Sequence, residues 1–154
     1  MAQINSARPS IIVATLFSSS WIRIPVLGVV YFVIGYGSTL FDQPFSGRVH
    51  FWRLAAWVAS AVVYVAHLVY EHFQLHNSPT STSIHVGLAV AIGGFLLAVA
   101  ATTHAAMVSE HAPFTRFLVA LVAWPLITGG PAFLVTLVIA AALRWLKVPR
   151  EAAL

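Results

Sequence analysis

Four stretches of the chain, 24–41, 51–73, 84–108 and 116–146, are almost free of charge and are separated by short polar segments. Each is comparable with the ~20 residues that an apolar helix needs to cross a bilayer. The connections "DQPFSGRVH", "QLHNSPTSTS" and "SEHAPF" leave no room for a soluble domain and make helices adjacent in sequence antiparallel neighbours in space. The pattern predicts an all-α, four-helix up-down bundle, with residues 1–154 forming a single integral membrane domain.

Polar positions within the spans are not scattered. In the second, steps of three and four residues connect His50, Arg53, Trp57, Ser60, Tyr64, His67, Glu71 and Gln74 on one face. Only Trp52, Tyr70 and His72 fall off that line. Polar groups are costly against lipid, so this seam is expected to face the bundle interior, with Arg53, Ser60, Tyr64, His67 and Glu71 as its candidate residues.

The first span carries Gly28, Tyr31, Gly35, Ser38 and Asp42 at the same spacing, an expected partner for that seam. The third carries Gly87, Ala91, Gly94, Ala98, Ala101 and Ala105, a face of small residues suited to close helix contact.

The fourth segment runs about 31 residues, or roughly 46 Å at helical rise, against a hydrocarbon core of about 30 Å. A kink or break is expected at Pro125, Gly129, Gly130 and Pro131, where prolines remove backbone donors and glycines loosen the chain. Broken helices line sites in transporters, and Pro/Gly kinks also occur in ordinary membrane helices.

Composition agrees with the pattern. Hydrophobic residues make up 60% of the chain and charged residues 8%, against roughly 25% charged in soluble domains. The net charge of +4 comes from Lys and Arg dispersed at segment ends, with no basic face for nucleic acid. Arg8, Arg23, Arg144, Lys147 and Arg150 lie on one side, and Arg48, Arg53 and Arg116 on the other. That bias predicts cytoplasmic N- and C-termini, in a multi-pass protein of a bacterial cytoplasmic membrane. The opening segment has a short apolar run but no A-x-A cleavage site, so residues 10–20 are read as an interfacial lead-in, separated from the first span by Arg23 and Pro25.

The chain has no cysteine, which excludes thiolate metal sites, iron–sulfur clusters and thiol redox chemistry. It has no H-E-x-x-H, G-x-S-x-G, P-loop or G-x-G-x-x-G motif, and "GYGST" lies at a helix end without a re-entrant loop around it. The expectation leans away from an enzyme.

"AHLVYEHFQLH", 66–76, concentrates the titratable residues. His67 and Glu71, four apart, share a face, while His72 is rotated by about 140° from His67 and groups with His76. With the second helix centred near Ala61, His67 lies roughly 9 Å from the midplane and is the deepest titratable group. A His–carboxylate pair can fix a tautomer beside a metal or haem, or relay protons. For a b-type haem no histidine stands opposite: His85 is placed roughly 8 Å nearer the interface and His104 near the far face. A haem completed by another subunit stays open. His72, His76 and His85 are candidate ligands for a divalent metal, the plainer role being imidazoles at the headgroups.

Three functions fit. The first is a structural or accessory component of a membrane complex, partnered by lipid and by other membrane subunits or its own copies. The second is a redox or proton-handling protein with a haem b or quinone site near His67 and Glu71. The third is a small transporter built on a broken fourth helix.

Overall fold

The computed structural model describes residues 20–40, 49–108 and 114–146. They form four helices: α1 (Ser20–Leu40), α2 (Val49–Phe73), α3 (Pro79–Val108) and α4 (Phe114–Leu146). There is no strand among the described residues. Each helix is long and apolar enough to cross a membrane. The architecture is an all-α four-helix membrane bundle. The expected lead-in before residue 20, Asp42, Glu110 and His111 lie outside the described residues.

Two helix starts differ from the pattern-based boundaries. Helix α1 is described from Ser20, so Arg23 and Pro25 sit inside it. Pro25 lacks the donor that would have served the Trp21 carbonyl, so the helix gives up one bond near its start and continues. Helix α3 begins at Pro79, five residues before the expected start, because Ser78 caps it: its Oγ accepts the Ser81 N–H at 3.2 Å and its carbonyl accepts the Thr82 N–H at 2.9 Å. Proline at the first helical position loses no bond it could have made. Most of "NSPTSTS" is therefore helix rather than loop.

The central helix is α3. In its most apolar window 39% of residues are buried, against 17% in each of the other three. Its largest contact is with α4 and its next with α1, whereas α2 packs chiefly on α1 and touches α4 least.

Glycines permit those contacts. A Cβ on Gly93 would stand 2.6 Å from the Tyr31 Cβ and 3.1 Å from the Gly28 carbonyl, so α1 and α3 approach backbone to backbone. On the opposite face of α3, a Cβ on Gly129 would stand 2.9 Å from the Gly87 carbonyl and 2.7 Å from the Ala91 Cβ. The small face of α3 thus receives α4, as its composition led one to expect. The glycines of the α1 face do not meet α2: Gly28 lies against Ile92 and Gly35 against Leu97, both on α3, and of the described residues of that face only Tyr31 reaches the cluster that Val63 and Tyr64 of α2 pack on. In lipid, close van der Waals contact between small residues holds helices together, and here it prevailed over polar matching. Ser38 needs no partner across the bundle, since it donates to the Gly35 carbonyl at 2.7 Å.

Helix α4 runs without interruption through Pro125, Gly129, Gly130 and Pro131. The unwound segment that a transporter of the broken-helix kind requires is not present among the described residues. Gly129 is clamped against α3, while Gly130 has nothing within 4 Å of where a Cβ would be.

Candidate functional site

The end of α2 and the start of α3 enclose a carboxylate. Glu71, 1% exposed, lies in the last turn of α2, and the chain leaves that helix through residues 74–78. The Tyr70 carbonyl accepts the Gln74 N–H at 2.9 Å, and the Glu71 carbonyl accepts the Asn77 N–H at 3.4 Å. His76, at φ 51°, takes the left-handed conformation. Such a residue reverses the chain, and the reversal returns Asn77 to the carboxylate it has just passed.

Three side chains converge on Glu71. The Asn77 Nδ2 donates to Oε2. His85 Nδ1, from the second turn of α3, lies 3.1 Å from the same oxygen. His67 Nε2, one turn back along α2, lies 3.7 Å from Oε1. His67 and His85 are themselves buried, at 5% and 7% exposure. An ionised carboxylate away from water needs such partners, because the attraction must offset several kcal/mol of lost hydration. With one imidazole protonated the group is close to neutral.

A second polar group lies deeper. The Tyr64 hydroxyl of α2 directs its one proton between Thr136 Oγ1 at 2.6 Å and the Ala132 carbonyl of α4 at 3.0 Å. Thr136 donates to the same carbonyl at 2.7 Å. Tyr64 and the Tyr31 ring pack together in the cluster built on Ile24, Tyr31 and Ala89.

The sequence-derived seam thus divides. Tyr64, His67 and Glu71 turn inward and Ser60 is half-buried, but Arg53 is exposed and Trp57 is 78% exposed. Helix α2 crosses the bundle with only its second half seated, so residues in perfect helical register part company.

The histidines also divide differently from the sequence pattern. His85, grouped there with His72 and His76, belongs to Glu71. His72 is buried with its ring edge-on to Phe73 at 4.9 Å, and His76 is exposed. Among the described residues no three His, Asp or Glu side chains are placed to hold a metal ion. His85 also lies deeper than expected. Counting from the capped start at Pro79 it is about 9 Å along α3, the same rise that separates His67 from the end of α2. Equal depth is what a pair of haem ligands needs, yet a porphyrin does not fit here, because the Glu71 carboxylate fills the space between the two rings.

Asn77 and Thr136 were not singled out by the sequence pattern. Ser78–Pro79 is the signal that would have placed His85 correctly, as a cap and first-turn proline. Nothing in the spacing points to Thr136.

Arg23 lies 5.2 Å from the centre of the Tyr70 ring and ties the start of α1 to this end of the bundle. At the opposite end an open hollow lined by Thr115, Arg116, Val119 and Ala120 is nearly all apolar and holds no convergent polar groups. Comparison of the chain with family models, curated proteins and solved structures finds no match.

Proposed function

We propose that this integral membrane protein takes up and releases a proton at the buried His67–Glu71–His85 group. The observation that carries this reading is one carboxylate, 1% exposed, shared by two buried imidazoles from two different helices. A structural ion pair needs one cation for one anion. A second imidazole adds a basic neighbour beyond the one an ion pair needs, a side-chain type suited to taking up and releasing a proton. With both termini cytoplasmic, as the Arg and Lys distribution argues, the group faces the cytoplasmic side.

Infrared difference spectra between pH values, taken on the full chain in bilayers, test this. Carboxyl and imidazole bands are expected, with the carboxyl band lost in Glu71→Gln and the imidazole band reduced in His85→Gln. Variant spectra that match the wild type at every pH overturn the reading.

A specific observation also favours an accessory role. The first half of α2 turns Phe51, Leu54 and Trp57 outward at 62%, 64% and 78% exposure, with Arg53 exposed among them. Lipid covers the apolar residues, but a neighbouring membrane helix covers an arginine and a tryptophan better. Mild detergent extraction that yields only a monomer removes this second reading.

A further inference from the structure

Buried polar atoms recur on three helices in the half of the bundle that holds Glu71. Neither ring nitrogen of His67, 5% exposed, makes a hydrogen bond with a described protein group. The same holds for the hydroxyls of Tyr31, 8% exposed, and Thr82, fully buried. Leaving a buried polar group without a partner is costly, and proteins avoid that cost with internal water.

The unpartnered Thr82, His67 and Tyr31 form a ladder in depth, with the paired Glu71, His85, Tyr64 and Thr136 beside its rungs. By helical rise, Thr82 and Glu71 lie within about 5 Å of the ends of their helices, His67 and His85 about 9 Å in, and Tyr64, Thr136 and Tyr31 about 14–17 Å in. A hydrocarbon core is about 30 Å thick, so the ladder stops near its middle. Beyond that level the contacts close: Gly35 meets Leu97, Gly94 meets Thr128, and Ala98 is 6% exposed. Polar residues of the far half turn elsewhere. Thr102 and Thr103 bond the Val99 carbonyl of their own helix, and His104 is exposed.

We infer that a line of bound water enters beside Glu71, passes His67 and ends at Tyr31, Tyr64 and Thr136, opening the buried group to one membrane face only. Its role rests on the proton-uptake reading, but its existence does not. His67 is the link between the two levels: one turn from Glu71 and one turn from Tyr64, it lies where water must bridge if protons are to pass between them. The other charged groups at this end leave the line clear, since Arg23 sits over the Tyr70 ring, His72 packs on Phe73, and Arg144 is exposed.

The test is solid-state NMR of the full chain in bilayers, with magnetisation transferred from water to labelled histidine, tyrosine, threonine and alanine. Transfer is expected to the His67 ring, to Tyr31 and to Thr136, on the timescale seen for exposed His76, and not to Ala98. Tyr31→Phe, checked for retained helicity, is expected to lose transfer at Thr136 while His67 keeps it. Absence of transfer at His67 and Tyr31 overturns the water line, and transfer at Ala98 overturns its one-sidedness. Hydrated His67 with no pH-dependent Glu71 band would sink the proton-uptake reading and leave the water line standing. A titrating Glu71 beside a dry His67 would do the reverse.

Discussion

His85 Nδ1 and Glu71 Oε2 meet at 3.1 Å across fourteen positions of sequence, one from the second turn of α3 and the other from the last turn of α2. That contact joins α2 to the rest of the bundle at the end where α2 is best seated. Its surroundings determine what substitution there does.

Glu71→Ala is expected to destabilise the protein by about 3–5 kcal/mol, because it strips partners from His85, His67 and Asn77 in a buried setting. Glu71→Gln keeps the shape and an acceptor oxygen and is expected to cost less than half as much. Unfolding in mixed detergent micelles, followed by helical circular dichroism, ranks the two. Equal losses would mean that the carboxylate charge, rather than its hydrogen bonds, organises the site.

His76 holds a left-handed backbone conformation with an ordinary side chain. His76→Gly is expected to be neutral or stabilising by up to about 1 kcal/mol, whereas His76→Val is expected to cost about 1–2 kcal/mol. Because this turn delivers Asn77 to Glu71, the valine variant should also disturb the Glu71 carboxyl band in the infrared. A valine variant as stable as the wild type contradicts the turn geometry.

How much of this was legible beforehand depended on which signal was read. Four spans and the inward end of the α2 seam followed from hydropathy and 3.6-residue spacing, which report how far a residue lies along a helix and which way it points. The partnership of His85 with Glu71 is not visible from hydropathy, which starts α3 at residue 84, although Ser78 and Pro79 carry the cap. The outward turn of Arg53 and Trp57 was not legible at all. It depends on how α2 crosses its neighbours, and crossing is decided by the glycine contacts of α1, α3 and α4, which leave α2 to lie where space remains.

Those glycine contacts make a paired prediction. Gly93→Leu places a side chain where even a Cβ would stand 2.6 Å from Tyr31 and 3.1 Å from the Gly28 carbonyl, and it is expected to cost about 1–3 kcal/mol by forcing α1 off α3. Gly130→Ala meets open space and replaces a poor helix former, so it is expected to be neutral or to stabilise by up to about 1 kcal/mol. Thermal unfolding of both variants in one detergent gives the comparison. A destabilising Gly130→Ala would show that α4 needs flexibility at this position.

Tyr64 makes the polar contact between α2 and α4, two helices that otherwise barely meet. Tyr64→Phe is expected to cost about 1 kcal/mol, as is Thr136→Val. The double variant should fall short of their sum by about 0.5–1 kcal/mol, since both lose the same hydrogen bond. In Tyr64→Phe the Thr136 hydroxyl keeps its bond to the Ala132 carbonyl of its own helix, whereas Thr136→Val removes that bond together with the contact to Tyr64. A double-mutant cycle in bilayer-like micelles separates the two: strict additivity would mean that the hydroxyls are not coupled, and α2 would then be held at this depth by packing around Val63 and Tyr31 alone.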